Sequence, residues 1–185
     1  MAVFRPRIVY VVGAGLSAGL SFPMIGNLLP LLWKRLVDAG LADRIAEVIR
    51  FHHPYFNPAL PSSYPTIEEL LSEMKANEEL FASTRPAVGR FTSMELTDRR
   101  AALLQEIASW FHELKRDALR RRPAWLTTLA DTMKAEQATI ISFNWDLVLD
   151  QLHFGRSLSK ASYGFDRRAR GPYLGSGPID FRGAI

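Results

Sequence analysis

Residues 8–18 read Ile-Val-Tyr-Val-Val-Gly-Ala-Gly-Leu-Ser-Ala, an apolar run that ends in two closely spaced glycines. A short, continuous β-branched run predicts a buried central strand of a parallel sheet. Gly13 and Gly15 predict a sharp turn whose backbone N–H groups can approach a pyrophosphate. Two glycines after a strand are a weak signal alone, so a purely structural turn between packed elements stays open as the alternative.

A second strand-and-turn unit occurs much later in the chain. Residues 138–143 are apolar and β-branched and predict another parallel strand, and residues 146–152 predict the helix after it. Asn144 lies at the turn between them. Because ligands of parallel sheets bind at the carboxyl ends of the strands, this turn and the glycine turn are expected to enclose one nucleotide. A simple turn with a helix N-cap is the alternative interpretation of Asn144 and Asp146.

The chain between these two units has the pattern of helices. Leucines recur at helical spacing up to Gly40, which is placed to end that helix. Thr66, with Glu69 three residues later, predicts a capping box at the start of another helix. A long amphipathic helix is predicted to open at Thr97 and to end near the arginines at 120–122.

The predicted fold class is α/β, with a Rossmann-like parallel sheet flanked by helices and a large all-helical insertion over about residues 41–135. The whole chain, 1–185, is interpreted as a single domain. Residues 156–178 predict mostly loop, and residues 179–185 resemble the start of another strand. We therefore expect the domain to lack its C-terminal part.

The composition excludes several classes of function. The 185 residues are 48% hydrophobic and 23% charged, as in an ordinary soluble globular protein. There is no cysteine, which excludes disulfides, thiolate catalysis and cysteine-ligated metals. With no long apolar segment and no signal peptide, a cytoplasmic location without membrane contact is expected.

The net charge of the chain is +4, and its arginines cluster at 116–122 and 167–170. We interpret these clusters as solvated surface. A nucleic-acid-binding surface formed by these arginines stays open as the less favoured alternative.

The residues of both turns resemble the two signatures of the sirtuin family. Residues 13–17 (Gly-Ala-Gly-Leu-Ser) and 21–23 (Ser-Phe-Pro) are similar to Gly-Ala-Gly-x-Ser followed by Gly-Ile-Pro, with Ser21 where the family has glycine. Residues 142–146 (Ser-Phe-Asn-Trp-Asp) are similar to Thr-Gln-Asn-Ile-Asp. The chain has neither the four-cysteine zinc module nor an Asp-Phe-Arg after Pro23, so it resembles the bacterial NAD-degrading branch more closely than the deacylases.

The resemblance implies a sirtuin-like NAD+ hydrolase that cleaves the nicotinamide–ribose bond, with a role in antiviral defence. NAD would be the substrate, and no metal is implied. Asn144 would be the catalytic residue, orienting the attacking water or the ribose hydroxyls, and Asp146 would contact the nicotinamide carboxamide. The cofactor-binding residues implied are Gly13, Ala14, Gly15, Ser17, Pro23, Asn144 and Asp146.

One element of the family pattern has no counterpart in this chain. Sirtuins use a histidine as general base in a segment after the second signature, and His153 lies too close to Asn144 to match it, so we interpret His153 as structural. Two alternatives therefore stay open: a non-catalytic sensor that binds NAD or ADP-ribose, and an NAD-dependent protein deacylase. The expected protein partner is a second copy of the chain, in a homo-oligomer, or a defence-system protein.

Overall fold

The computed structural model describes residues 8–83 and 91–154. Within these ranges the chain is mostly helical, with one small parallel sheet. The strands are β1 (Val9–Val12) and β2 (Thr139–Ser142). The helices are α1 (Ala14–Ala18), α2 (Ile25–Asp38), α3 (Ala42–His52), α4 (Ile67–Ser83), α5 (Ser93–Arg121), α6 (Ala124–Ala135) and α7 (Val148–Phe154), with a 3-10 turn at Pro61–Ser63. No helix in these ranges combines the length and apolar character needed to cross a bilayer.

The chain divides into two compact units. The sheet unit comprises the segments up to Phe22 and from Phe111 onward, and the helical unit is Pro23–Trp110. The first part of α5 therefore belongs to the helical unit and its last part to the sheet unit. The predicted insertion at about 41–135 includes residues of both units, and the assignment of 1–185 to a single domain stays a prediction.

The core of the sheet unit lies on one face of the two strands. β1 and β2 pair in parallel, from Val9 opposite Thr139 to Val12 opposite Ser142. Val12 and Ile140 pack from the sheet against a buried cluster contributed mainly by α5, α6 and α7. That cluster is Leu20, Phe22, Ala118, Leu126, Ala130, Val148, Leu149 and Leu152.

The other face of the sheet is apolar and open to solvent. Val9, Val11 and Ile141 are exposed on that face, and the exposed fraction of Val11 is 65%. Phe143, which directly follows β2, is 73% exposed. The prediction of a buried central strand is therefore wrong for β1. Among the described residues β1 has one neighbouring strand, and the core cluster covers only one of its faces. Valine and isoleucine also favour strands because they suit a pleated backbone, so an apolar run does not reveal how many faces are covered.

The helical unit is built from α2, α3, α4 and the first part of α5. Its core is formed by Leu29, Leu32, Leu36, Ile45, Ile49, Ile67, Leu70, Met74, Leu96 and Leu103. Gly40 follows the end of α2 with φ of 68°, which confirms its predicted role as a helix terminator. The capping box is also confirmed: the N–H of Glu69 donates to Thr66 Oγ1 at 3.2 Å, and the N–H of Thr66 donates to Glu69 Oε2 at 2.8 Å.

The start of α5 differs from the prediction. The helix begins at Ser93 rather than at Thr97, whose hydroxyl donates to the carbonyl of Ser93 at 3.0 Å inside the helix. Thr92 and Glu95 form the capping box, with reciprocal bonds of 2.8 and 3.1 Å. The pattern is the same as that at Thr66, and Thr97 with the following Asp98 offers a competing cap about one turn later in the sequence.

Ser21 occupies a backbone conformation that glycine tolerates best. Its φ is 71°, in the left-handed region, at the position where the sirtuin signature has glycine. This conformation costs a residue with a side chain roughly 1–2 kcal/mol, whereas glycine adds a backbone-entropy cost of roughly 0.5–1 kcal/mol. We therefore predict that Ser21→Gly raises the free energy of unfolding by about 0.5–1 kcal/mol and the Tm by about 2 °C, measured by thermal denaturation.

Ser109 provides the matched control for Ser21. It is exposed within α5, where its backbone is helical. The same substitution, Ser109→Gly, should lower stability by about 0.5 kcal/mol, because glycine is the poorer helix former. Equal destabilisation by both variants would contradict the strain assigned to Ser21.

Candidate functional site

The two predicted turns lie side by side at the carboxyl end of the sheet. Val12 pairs with Ser142 as the last residues of β1 and β2, and the N–H of Phe143 donates to the carbonyl of Val12 at 3.0 Å. After each strand the backbone turns away from the sheet. β1 is followed by Gly13 and α1, and β2 is followed by the turn that contains Asn144. Side chains that are far apart in sequence are thereby brought to one edge.

Three side chains from the two turns form a chain of hydrogen bonds. Asn144 Nδ2 donates to Ser17 Oγ at 2.9 Å, and Ser17 Oγ donates to Asp146 Oδ2 at 2.5 Å. The other carboxylate oxygen, Oδ1 of Asp146, accepts the N–H of Val148 at 3.0 Å as α7 begins. Ser17 and Asp146 are 5% and 9% exposed, so this network is shielded from solvent. It joins the first signature to the second directly.

The carboxylate of Asp146 sets the direction of this chain. An ionised carboxylate can only accept, so the single proton of Ser17 must point to Asp146. The serine oxygen is then free to accept, and it takes one N–H of the Asn144 amide. The amide oxygen, Oδ1 of Asn144, consequently faces away from the network, and it is buried with no hydrogen-bond partner in the structure. A buried acceptor without a donor is costly, and a ligand hydroxyl or a water molecule would satisfy it.

The glycine turn leaves its backbone accessible beside this network. A Cβ atom built on Gly13 or Gly15 would meet no heavy atom within 4 Å. Among the described residues, no carbonyl accepts the N–H of Gly13, Ala14 or Gly15, whereas the N–H of Leu16 donates to the carbonyl of Gly13 at 2.9 Å. Open space and available N–H groups allow an anionic group to approach the backbone closely.

Lys115 was not among the residues predicted from the sequence, although it lies close to this network. It is 9% exposed on the part of α5 that belongs to the sheet unit. Burial lowers its pKa below the usual range, and the negative charge of Asp146 offsets this in part. The signal available in the sequence was a lysine on the apolar face of a helix, between Leu114 and Ala118.

The structure brings several of the predicted site residues together. Ser17, Asn144 and Asp146 are in contact, and the turn from Gly13 to Gly15 lies at the same strand end. Pro23 is the first residue of the helical unit, whereas the other predicted residues belong to the sheet unit. Trp145, between Asn144 and Asp146, is 49% exposed, and its ring is 6.5 Å from that of Phe111.

The polar groups of this site can orient a ligand, accept hydrogen bonds from its hydroxyl groups and balance its charge. Among the residues that the structure describes, no histidine forms a hydrogen bond or ion pair with Ser17, Asn144 or Asp146. His153 lies on α7, where burial, and secondarily Lys134, lowers its pKa. No group of three or more potential ligand residues that could hold a metal ion occurs in the part of the chain that the structure describes. Comparison of the chain with family models, curated proteins and solved structures found no match.

Proposed function

We propose that the chain binds NAD at the carboxyl end of its two strands and hydrolyses the bond between nicotinamide and ribose. The hydrogen-bond chain from Asn144 through Ser17 to Asp146 is the observation that carries this proposal. It unites the two segments whose sequences resemble the sirtuin signatures.

The reaction consumes water and gives ADP-ribose, nicotinamide and a proton. In the proposed complex the turn at Gly13 to Gly15 offers N–H groups to the phosphates, since that backbone is open. Asn144 Oδ1 accepts from a ribose hydroxyl or from the attacking water, because it is the acceptor left without a partner. Fixed dipoles of this kind act by positioning and by electrostatic stabilisation of the transition state.

The fold proposed for this function is Rossmann-like. β1 and β2 would be adjacent strands of a larger parallel sheet, and the helical unit would be an insertion between them. Support comes from the parallel pairing and from the very long connection between the two strands. A parallel pair needs a crossover of at least a dozen or so residues, and here the crossover holds a compact unit of its own.

A sensor that binds NAD or ADP-ribose without cleaving it is the second candidate. It is favoured by one observation: among the described residues, no histidine interacts with Ser17, Asn144 or Asp146. Water attack on the ribose needs a group that takes up a proton, and histidine most often has that role. The two candidate functions use the same binding site, and only the hydrolase would cleave the bound NAD.

Substitution of Gly15 tests the binding site without disturbing the fold. A leucine at this position would extend into space that holds no protein atom within 4 Å of its Cβ, so the fold should be unchanged. The same side chain would occupy the volume through which the ligand reaches the turn. We predict that Gly15→Leu raises the Kd for NAD at least about 10-fold, equivalent to about 1.4 kcal/mol, measured by calorimetry.

Ala135→Leu is the control for this experiment. It adds the same side chain at an exposed helical position, just before the amino end of β2 and thus at the opposite end of the sheet. NAD binding should be unchanged in this variant.

A nicotinamide-release assay on the unsubstituted chain distinguishes the hydrolase from the sensor. Equal NAD affinity in the Gly15 and Ala135 variants would reject the proposed site.

A further inference from the structure

Lys115 is a buried cation that the proposed reaction does not use. It follows Leu114 on α5, and Phe111, Leu114 and Ala118 are all part of the packed interior of the sheet unit. Phe111 also meets the ring of Trp145, the neighbour of Asp146. Residues 111 and 115 are one helical turn apart and share a face of α5. This face of α5 therefore lies toward the turn that carries Asp146.

The ammonium group of Lys115 lacks a partner of its own. It makes no hydrogen bond and no direct ion pair with any residue in the described part of the chain. Asp146 attracts it electrostatically, as the upward effect of that carboxylate on its pKa indicates. The two oxygens of Asp146 are, however, already engaged by Ser17 and by the N–H of Val148. The N–H donors of this lysine are therefore left to solvent or to a ligand.

A buried charge without a hydrogen-bonding partner is costly to the folded chain. An aliphatic side chain of similar length would fill the same space without that cost. Buried charges with perturbed protonation concentrate at sites that bind or react. Asn144 Oδ1, in the network that also contains Asp146, is buried without a hydrogen-bond partner, so an unsatisfied acceptor belongs to the same site.

We propose that Lys115 is an anion-binding residue of this site and pairs with a phosphate of the bound dinucleotide. The identity of the ligand rests on the proposed function, whereas the anionic character of the group rests on Lys115 itself. Asp146 would then balance the lysine in the free protein, and the phosphate would take over that role in the complex. The arrangement selects for nucleotides over nucleosides.

Lys115→Met tests this role with a side chain of similar length and no charge. The Kd for NAD and for ADP-ribose should rise about 10- to 30-fold, since a charge-assisted hydrogen bond is lost. The Kd for nicotinamide riboside, which has no phosphate, should be unchanged. Lys34→Met, at an exposed position on α2, is the control for the change in net charge.

Inorganic pyrophosphate, tested by its effect on the Tm, separates this inference from the proposed function. We expect pyrophosphate to raise the Tm of the unsubstituted chain and of the Lys34 variant, and not that of the Lys115 variant. If the chain binds neither NAD nor ADP-ribose, the proposed function fails, and the pyrophosphate result still decides the role of Lys115. Equal stabilisation of all three proteins by pyrophosphate, or of none, would overturn the anion-binding role, as would an unchanged Kd for ADP-ribose.

Discussion

Replacement of Asn144 by alanine is expected to abolish nicotinamide release while the chain still folds. The substitution removes the free acceptor Oδ1 and also the donor that keeps Ser17 in place. Loss of one preorganised polar group in an active site typically lowers the rate by about 100- to 1,000-fold. Nicotinamide release, measured at saturating NAD, should therefore fall by at least that factor. In the sensor alternative, the same variant should instead weaken NAD binding.

The folded state should tolerate this change. Asn144 is only partly buried, and its amide has Ser17 as its side-chain partner, so the Tm should fall by no more than about 3 °C. Gln105→Ala, which removes an exposed amide from α5, is the control and should leave both activity and stability unchanged. Full turnover by the Asn144 variant would reject this residue as catalytic.

Replacement of Asp146 by alanine should have the largest effect on stability of any change considered for this chain. Three interactions are lost together: the bond from Ser17, the bond from the N–H of Val148, and the charge that balances Lys115. Removing a buried group that satisfies a charge and several donors costs about 3 kcal/mol. For a chain of this length that corresponds to a fall in Tm of about 6–12 °C, measured by calorimetry or circular dichroism.

The double variant Asp146→Ala with Lys115→Met distinguishes charge balance from simple loss of packing. If Lys115 is the charge left uncompensated, its removal should restore about 1–2 kcal/mol of the lost stability. Asp38→Ala, at the exposed end of α2, should change the Tm by less than about 2 °C. Strictly additive effects of the two substitutions would show that Lys115 and Asp146 are not coupled.

Local patterns in the sequence were sufficient to predict most of the elements. The apolar runs before Gly13 and Asn144 are strands, Gly40 ends a helix and Thr66 caps one. Each of these features depends on residues close together in the chain, where backbone preference and capping act. The burial of β1 was predicted wrongly because it depends on what packs against the second face of the sheet.

The composition of the site was only partly accessible from sequence. Ser17, Asn144 and Asp146 were selected because their order and spacing resembled a known pattern. Their hydrogen bonds depend on the register of β1 with β2, which no local pattern encodes. Lys115 was missed because it comes from a different helix and belongs to no motif. Its place near Asp146 follows from the packing of the last part of α5 within the sheet unit.

The hydrogen bond between Ser17 and Asp146 spans 129 residues of sequence, which has a consequence for synthesis of the protein in the cell. Contacts of such long range form late, because the entropy of closing the intervening loop must be overcome first. On the ribosome, β1 emerges before β2 and has no partner strand until β2 follows. The nascent chain is therefore vulnerable to aggregation until the segment carrying Asp146 has left the exit tunnel.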